Sequence, residues 1–410
     1  MKKLPHVNRL ITKEATFQQT TVKVCMHVRG IARTDERVMR EAIALKEVDF
    51  AVTILDIEDN ITRPVEEEIR GVHVKHVMRP GWLKPACFKP LRLILSMKKL
   101  ISTTVKLIQT PADVYHAHDD NALVACYIAA MWHKSFLIFD AHEFPLKDVA
   151  YKRWLSTLLT RLFTFIIRRC SGIITVSPPI AQEIRNLYRV SNVSLVRNIA
   201  VYQKPLNSDR LRQLLNLRSD THLALYQGNL EDNRNLDTLV RAGTFLEKNI
   251  VIVLMGKGVG STQARLESLI ASERVDERVK IIPPVPYAEL LEWTASADIG
   301  LITFSPNYST SIRLCLPNKL FEYLMAGLPV LASPLDAVAE LLKTYDVGWV
   351  VPSLAPSDIG AAINAMLADS TAYMRMRRNA LEITRHELCW EKECQRLIYL
   401  YQSILEKRNA

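Results

Sequence analysis

The sequence predicts an α/β protein built from two doubly wound, Rossmann-like domains. The 410 residues are enough for two domains of ordinary size, each with its own core. In both halves short apolar runs alternate with helical patterns, which is typical of parallel sheets covered by helices. The alternation is interrupted near residues 198–210, where Asn198, Pro205, Asn207 and Ser208 predict a linker.

The first half is predicted to hold five strands, and the loop Arg29–Gly30 and a helix over residues 36–47 follow the first of them. These strands are residues 22–28, 50–55, 113–116, 137–140 and 172–176. The second half repeats the pattern without obvious sequence repetition. Its six strands are residues 223–228, 250–255, 280–282, 299–303, 329–332 and 348–351. A helix over residues 390–407 follows near the end of the chain.

The composition is that of a globular protein, with 49% hydrophobic and 23% charged residues. No uninterrupted apolar run of about 18 residues occurs, so we expect no transmembrane helix, and the residues up to Thr21 show no apolar signal core. Seven cysteines without paired spacing predict reduced thiols and a cytoplasmic protein. Cys389 and Cys394 are too far apart for a Cys-x-x-Cys motif, so we expect no metal site.

The positive charge of the chain lies in its first half. Residues 1–200 hold 30 Lys and Arg against 19 Asp and Glu, whereas residues 201–410 hold 23 against 24. Residues 71–110 and 151–170 contain no acidic residue. The second stretch predicts a basic amphipathic helix, with Leu158, Leu162, Phe163 and Ile166 on its apolar face.

A helix of that kind can lie on an anionic membrane surface or can pack on a core with its arginines in solvent. For residues 151–170 alone both interpretations stay open. The two acid-free stretches together favour contact with a membrane surface. The sequence shows no helix-turn-helix, RNP-like aromatic pattern or zinc finger, so we expect no nucleic-acid partner.

Residues 316–330 predict a short helix with an anion-binding start. Pro317 suits a first helical turn, no helix breaker follows up to Ala326, and Gly327 then ends the helix. The free N–H groups and the positive dipole end at such a start attract phosphate, and Lys319 adds a cation there. Glu322 lies one turn further in, where a carboxylate can accept two hydrogen bonds from a ribose diol. A buried helix with one exposed Lys and Glu is the alternative.

Two glycine-containing loops end strands of the second half. Gly228 is followed six residues later by Arg234, whose guanidinium matches phosphate oxygens. Gly256 ends the next strand, although turn geometry alone would explain it. No G-x-G-x-x-G follows the first strand and no G-x-x-x-x-G-K-[ST] occurs, so neither the dinucleotide fingerprint nor a P-loop is present.

In the first half, titratable residues follow two neighbouring strands. His118 and Asp119 run off one strand, and His142 and Glu143 run off the next. Ligands of open α/β sheets bind at the carboxyl ends of the strands, so we expect these side chains to face one cleft. A lone histidine would more often be structural.

Several of these segments resemble retaining glycosyltransferases of family 4, the group 1 type with the GT-B fold. The resemblance runs through Pro317-Asn-Lys-Leu-Phe-Glu-Tyr with Gly327-Leu-Pro-Val, Asp113-Val-Tyr-His-Ala-His-Asp, Asp140-Ala-His-Glu and Asp35-Glu-Arg-Val. It implies two Rossmann-like domains that face a central cleft. Residues 1–200 would bind the acceptor, residues 201–385 would bind the nucleotide sugar, and residues 386–410 would carry a helix that returns to the first domain.

The resemblance also implies roles for individual residues. Glu322 would hold the ribose of the donor, while His118, Arg234 and Lys319 would be catalytic. The implied donor site consists of Gly228, Arg234, Gly256, Leu316, Pro317, Asn318, Lys319 and Glu322. The implied acceptor side of the cleft consists of Arg29, Gly30, His118, Asp119, His142 and Glu143. Two positions depart from the family pattern: Leu314 replaces a glutamate that grips the donor sugar, and Asn229 replaces a second arginine.

The expected activity is retaining transfer of a sugar from a UDP- or GDP-linked donor to a glycan or lipid-linked acceptor, in surface polysaccharide assembly. We expect the enzyme to need no metal and no cofactor, and to work at the cytoplasmic face of the cell membrane. Two alternatives remain open at this point. One is a nucleotide-sugar 2-epimerase of the same fold, and the other is an inactive relative that acts as a partner protein.

Overall fold

The computed structural model describes residues 21–58, 62–78, 89–144, 153–204 and 207–409. Residues 79–88 of the first basic stretch, residues 151 and 152 of the second, and Pro205 of the predicted linker lie outside the described residues. The described chain forms two β-sheets, and helices connect the strands of each.

The first sheet has eight strands in the order β3-β4-β2-β1-β5-β6-β7-β8. All neighbours are parallel except β3 and β4. The strands are β1 (Lys23–His27), β2 (Ala51–Glu58), β3 (Glu66–Ile69), β4 (Val72–Met78), β5 (Val114–His118), β6 (Phe136–Ala141), β7 (Gly172–Thr175) and β8 (Val193–Leu195). The helices are α1 (Glu36–Lys46), α2 (Lys89–Ile108), α3 (Asp120–His133), α4 (Arg153–Ile167) and α5 (Pro178–Tyr188).

The second sheet has six parallel strands in the order β11-β10-β9-β12-β13-β14. The strands are β9 (His222–Gln227), β10 (Ile250–Met255), β11 (Val279–Ile282), β12 (Ile299–Ile302), β13 (Val330–Ala332) and β14 (Gly348–Val350). The first five helices of this half are α6 (Arg210–Leu214), α7 (Leu236–Ala242), α8 (Thr262–Glu273), α9 (Leu290–Thr294) and α10 (Thr310–Leu314). The others are α11 (Asn318–Met325), α12 (Asp336–Tyr345), α13 (Pro356–Ala368), α14 (Ser370–His386) and α15 (Trp390–Asn409).

The predicted fold class is confirmed, and each predicted strand has a counterpart in the structure. Strands β3, β4 and β8 were not predicted from the sequence. Glu66, Glu67 and Glu68 give β3 no apolar alternation, and β8 is only three residues long. In β4, Val72 and Val74 alternate with polar residues, and this alternation is the signal that could have found the strand.

Three hydrophobic clusters form the core. One surrounds both faces of the second sheet, and the other two cover opposite faces of the first sheet. Buried residues of α2, α3, α4 and α5 belong to one face, whereas those of α1 and α15 belong to the other. Leu397, Tyr401 and Ile404 place α15 in this second group, so the helix at the end of the described chain packs against the first sheet.

Polar contacts also join α15 to the first sheet. Arg197 Nη1 and Glu393 Oε1 form an ion pair of 2.9 Å that is almost fully buried. The hydroxyl of Tyr401 lies 2.8 Å from Nδ1 of His116 on β5. Among the described helices, none combines the length and the apolar character needed to cross a bilayer.

Candidate active site

Helix α11 begins at the cleft between the two sheets. Pro317 is its N-cap residue and has extended backbone, so it precedes the first turn and does not lie in it as predicted. No side chain caps the first N–H groups of α11. The start of the helix borders a cavity of about 530 Å³ that Pro317, Asn318 and Lys319 help to line. Uncapped N–H groups at the positive end of a helix dipole provide donors for an anion in this cavity.

Two cations meet in this cavity over one aromatic ring. Nζ of Lys319 lies 5.0 Å from the ring centroid of Phe304 and 3.7 Å from that of Tyr226. The guanidinium of Arg234 lies 4.7 Å from the ring of Phe304. Burial, reinforced by the charge of Arg234, holds the pKa of Lys319 well below its usual range. A diphosphate bound between the two groups would offset their repulsion and favour the charged lysine.

The two predicted glycines let the loops after β9 and β10 approach each other and Lys319. A Cβ atom on Gly256 would lie 1.8 Å from the carbonyl oxygen of Gly228, so any side chain there would displace the backbone. Gly228 has φ of +121°, which other residues rarely adopt, and its added Cβ would lie 3.2 Å from Nζ of Lys319. Both glycines therefore shape the wall of the cavity.

The carboxylate of Glu322 is held by a chain of hydrogen bonds from the second sheet. Nε2 of Gln227 donates to Oε2 of Glu322 at 2.5 Å, and the hydroxyl of Thr294 donates to Oε1 of Gln227 at 2.8 Å. Burial raises the pKa of Glu322, although the bond from Gln227 opposes this shift. One carboxylate oxygen is thus fixed by the protein, and the group borders two cavities with capacity to accept further hydrogen bonds.

The cleft contains two further cavities beside the one at Lys319. One, of about 420 Å³, is lined by residues of both sheets, among them Gly30, Arg37 and Glu322. The other, of about 340 Å³, is lined by Arg37, His142, Glu143, Arg234 and Leu316 among others. Asn318 borders all three cavities. The start of α11 is therefore the point where they meet, and the first sheet contributes to each.

On the first sheet, a buried ion pair supports the cleft. The guanidinium of Arg37 on α1 donates to both carboxylate oxygens of Asp140 at 2.9 Å, and Nη1 donates to the carbonyl of Val196 at 3.0 Å. Glu41, one turn further along α1, lies 3.1 Å from the same guanidinium. Burial alone would raise the pKa of Asp140, but the charges of Arg37 and His142 hold it well below its usual range.

His142 connects this pair to the cleft. Its Nε2 lies 3.0 Å from Oδ2 of Asp140, and its Nδ1 lies 3.4 Å from Oδ2 of Asp119. Although burial lowers the pKa of His142, the charge of Asp140, the hydrogen bond to Asp140 and the charge of Asp119 together outweigh burial and raise the pKa to about 9. The ring is 18% exposed and lines the cavity that also contains Arg234. An imidazolium at this position faces the same space as the cations of the second sheet.

His118 lies deeper than the sequence analysis expected. Its side chain is fully buried, its Nδ1 lies 3.3 Å from Asp140, and its ring stacks on that of His116 at 4.2 Å. Burial lowers the pKa of His118, so the ring is neutral at pH 7. None of the cavities described here has His118 in its lining. The structure therefore places His118 behind His142, as seen from the cleft.

Asp119 has a strained backbone next to His142. Its φ of +64° is unusual for a residue with a side chain, and its carboxylate accepts a hydrogen bond from the backbone N–H of His142 at 3.2 Å. Burial raises its pKa to about 6. This strained conformation turns the carboxylate towards both the ring and the backbone of His142.

The remaining predicted residues of the first sheet are distributed around the cleft. Glu143 is exposed and lines both the 530 Å³ and the 340 Å³ cavities. Gly30 lines the 420 Å³ cavity. Arg29 instead donates to Oδ1 of Asn121 at 3.0 Å and borders a separate pocket of about 30 Å³ near α2. The structure thus brings Gly30 and Glu143 to the cleft and leaves Arg29 outside it.

The two departures from the family pattern have distinct surroundings. Leu314 is 3% exposed and packs in the hydrophobic cluster of the first sheet, although α10 belongs to the second half. Its carbonyl accepts a hydrogen bond from the hydroxyl of Ser177 at 2.6 Å. Asn229 donates to Glu231 at 3.0 Å, and Glu231 forms an ion pair of 3.2 Å with Arg234. Leu314 therefore joins the two halves of the molecule at the edge of the cleft.

The residues that hold the predicted site residues in position were not identified from the sequence. Gln227 holds Glu322, while Arg37 holds Asp140 across 103 positions of the chain. Tyr287, which is 56% exposed, borders two of the cavities. The segment Asp35-Glu-Arg-Val was the one available signal for Arg37, and the sequence analysis gave that arginine no role.

Four buried side chains lie close enough to share an ion. The potential ligand atoms of Glu41, His116, His118 and Asp140 lie within 4.8 Å of one another. Burial raises the pKa of Glu41 to about 8, and Arg37 and protonated His142 already neutralise the carboxylate of Asp140, so charge gives no reason for a cation there. The expectation that the enzyme needs no metal stays a prediction.

The raised pKa of His142 predicts that stability falls with pH on the alkaline side. The folded value of about 9 exceeds the ordinary value of 6.5. The protonated ring therefore stabilises the fold fully below about pH 6.5, and this contribution is lost as the pH rises through about 9. We expect the wild-type melting temperature to fall more steeply between pH 6.5 and 9.5 than that of His142→Asn. His386→Asn, at an exposed histidine, is the matched control, and parallel curves for all three proteins would contradict the assignment.

Family comparisons agree with this geometry. Residues 36–199 match the model described as Glycosyltransferase Family 4, and residues 207–383 match the model described as Glycosyl transferases group 1. Together these matches cover most of both halves. The chain belongs to the group 1, family 4 glycosyltransferases, with the GT-B fold.

Individual relatives are more distant. A D-inositol 3-phosphate glycosyltransferase of Thermomonospora curvata is 25% identical over 213 residues, which are 50% of this chain and 48% of that protein. The chain spans about half the length of the curated relatives it matches. Sucrose-phosphate synthase of Thermosynechococcus elongatus has a similar fold, with a TM-score of 0.78, 15% identity and coverage of 94% of this chain and 100% of that one. HepE of Anabaena, in complex with UDP and glucose, has a TM-score of 0.70 at 15% identity and covers 93% of this chain and 100% of that one.

Proposed function

We propose that the protein transfers a sugar from a nucleoside diphosphate sugar to an acceptor hydroxyl, with retention of the anomeric configuration and without a metal. The observation that carries this proposal is the grouping of Arg234, Lys319 and the uncapped start of α11 around one cavity, with the carboxylate of Glu322 at its border. Cations and N–H donors suit a diphosphate, and an anchored carboxylate suits a ribose diol.

The comparisons support a nucleotide donor. HepE shares the fold, and its structure was solved in complex with UDP and glucose. In this chain the donor would occupy the 530 Å³ cavity, with its diphosphate between Arg234 and Lys319 and its ribose at Glu322. The donor nucleotide in this proposal is either UDP or GDP, because none of the contacts of this cavity distinguishes uracil from guanine.

The proposed chemistry is electrostatic. As the bond from the anomeric carbon to the diphosphate breaks, negative charge grows on the leaving phosphate, and preorganised cations lower the barrier by stabilising that charge. The leaving phosphate oxygen then takes the proton of the acceptor hydroxyl, which attacks from the same face. His142 adds a third positive charge beside Arg234 in the adjoining cavity, and Asp140 holds its ring in place. This arrangement needs no covalent intermediate on a carboxylate.

The acceptor would enter from the side of the first sheet, past Gly30, His142 and Glu143. We propose a glycan or a lipid-linked acceptor and a role in surface polysaccharide assembly at the cytoplasmic face of the membrane. The excess of Lys and Arg in residues 1–200 supports this location, because anionic lipid attracts basic surfaces.

Calorimetric titration with UDP, GDP and ADP, each free and sugar-linked and without added metal, tests the donor site. We expect one nucleotide class to bind. In Glu322→Ala the affinity should fall about 10- to 100-fold, because hydrogen bonds from the ribose to a charged carboxylate contribute about 1.5–3 kcal/mol.

Glu340→Ala is the matched control, since Glu340 is exposed on α12 away from the cavities described here. Equal affinity of wild type and Glu322→Ala would remove Glu322 from the ribose site. Binding of no nucleotide by the wild type would contradict the proposed function and favour an inactive relative.

A further inference from the structure

Large apolar side chains are exposed on three helices of the first half. The set is Met97 and Ile101 on α2, Met131 and Trp132 on α3, and Leu158 and Phe165 on α4. Five of the six are more than half exposed, and Trp132 reaches 70%. We call this set the three-helix face. Apolar side chains exposed in such number on neighbouring helices mark an interaction surface.

The three helices lie side by side. They connect consecutive strands of the first sheet from β4 to β7, and each contributes buried residues to the same cluster, for example Leu107, Cys126 and Phe163. The rings of Tyr127 on α3 and Phe165 on α4 meet edge to face, with centroids 6.2 Å apart. Because all three helices turn their inner sides to one face of the sheet, their outer sides form one continuous surface.

The structure corrects the predicted apolar face of α4. The sequence analysis placed Leu158, Leu162, Phe163 and Ile166 together on one side. Phe163 and Ile166 are buried, but Leu158 is 58% exposed and Leu162 is 41% exposed. The helix is therefore apolar on its outer side as well as on its inner side, and a core-facing helix with solvated arginines does not account for it.

The charge around the three-helix face is almost entirely positive. Exposed basic residues accompany the apolar ones on each helix, among them Lys98 and Lys106 on α2, Lys134 at the end of α3 and Arg161 on α4. Neither α2 nor α4 contains an Asp or Glu, and α3 has only Asp120 in its first turn. The guanidinium of Arg169 also lies over the ring of Phe165, 3.5 Å from its centroid.

We propose that the three-helix face lies on an anionic lipid bilayer, with Trp132 and Phe165 at the boundary between headgroups and acyl chains. This inference rests on the proposed function at a membrane and names the surface that makes the contact. Aromatic and aliphatic side chains supply the apolar burial, while lysines and arginines supply the attraction to anionic headgroups. Charge complementarity favours lipid over an apolar protein partner, because every exposed basic residue here gains from an anionic surface.

This orientation places the cleft beside the bilayer. The strands of the first sheet would run along the membrane surface, since the three helices cover one face of that sheet. His142 lies just after β6, at the carboxyl edge of the sheet, so the acceptor side of the cleft would open along the membrane. The headgroup of a lipid-linked acceptor could then reach it without leaving the bilayer.

Vesicle flotation of the full chain tests the proposal. We expect binding to vesicles of equal parts phosphatidylcholine and phosphatidylglycerol, weak binding to phosphatidylcholine alone, and loss of binding in 0.5 M NaCl. The double variant Trp132→Ser and Phe165→Ser should bind at least about tenfold more weakly, because each change removes apolar surface that the bilayer would bury. The charge variant Lys98→Gln with Lys106→Gln should lose about fivefold per residue on anionic vesicles only.

The matched control is Met374→Ser with Tyr399→Ser, which replaces two residues on α14 and α15 that are at least as exposed as Phe165 and Trp132. Unchanged vesicle binding by the Trp132 and Phe165 double variant would overturn the proposal, and so would equal binding to both lipid mixtures. A third outcome would also overturn the proposal: the wild type self-associates and does not bind vesicles, and the double variant no longer self-associates. The three-helix face would then join two copies of the chain. Nucleotide calorimetry on the same variants separates the two proposals, because it reports the donor site without lipid.

Discussion

The variant Arg234→Ala is expected to lower kcat by about 100- to 1,000-fold and to leave the fold intact. Arg234 is partly exposed, lies over Phe304 and faces the cavity at the start of α11. Removal of one preorganised donor to the growing charge of a transition state typically costs about 2.7–4 kcal/mol in barrier. Steady-state kinetics of sugar transfer measure the effect, once calorimetry has identified the donor and a matching acceptor has been found. Circular dichroism checks that the variant is folded.

The control for this variant is Arg241→Ala, which removes an arginine on α7 that pairs with Glu273 on the surface. We expect its kcat to equal that of the wild type. If Arg234→Ala also turned over at the wild-type rate, the diphosphate would have to bind elsewhere in the cleft. A raised KM with unchanged kcat would instead mean that Arg234 binds the donor equally in the ground state and the transition state.

The second large effect is expected in stability. Arg37→Ala should lower the free energy of unfolding by about 3–5 kcal/mol, because it leaves the carboxylate of Asp140 buried without the cation that donates to both of its oxygens. Urea denaturation followed by tryptophan fluorescence measures this change. Arg37→Ala combined with Asp140→Asn should be less destabilised than the sum of the single variants, since the two groups interact directly.

Arg70→Ala provides the comparison, because Arg70 makes two hydrogen bonds to Glu36 at the surface, at 2.6 and 2.8 Å. Exposed pairs of this kind contribute up to about 1 kcal/mol. Similar small losses in Arg37→Ala and Arg70→Ala would show that the buried pair of Arg37 and Asp140 is hydrated in solution.

The fold and the second-half site were predictable because their signals are local. A run of apolar residues such as 250–255 defines a strand, and Lys319 and Glu322 lie one turn apart on the same helix. The first-half site depends on contacts over long distances in the chain. The contacts of Asp140 with Arg37 and of Tyr401 with His116 join residues more than 100 positions apart, and no spacing pattern in the sequence specifies them.

The burial of individual side chains could not be predicted from the sequence either. Both His118 and His142 were predicted to run off a strand, but His118 is the last residue of β5 and is buried opposite Asp140, whereas His142 follows β6 and borders the cleft. The ring of His118 stacks on that of His116, which in turn contacts Tyr401 of α15 and Glu41 of α1, and only the assembled fold determines these contacts. The exposure of Leu158 has the same origin, since helical spacing gives the angle between two side chains but not the direction of the neighbouring sheet.

Leu314 holds the two halves of the molecule together at the edge of the cleft. Any movement that separates the sheets has to withdraw this leucine from the cluster of the first sheet into water. Exposure of one buried leucine costs about 1.5–3 kcal/mol, which alone limits the separated form to between about one molecule in ten and one in a hundred. A glutamate at the same position would favour separation instead, because a buried carboxylate there would need a partner. Leu314 therefore stabilises the arrangement in which the two halves are in contact at the edge of the cleft.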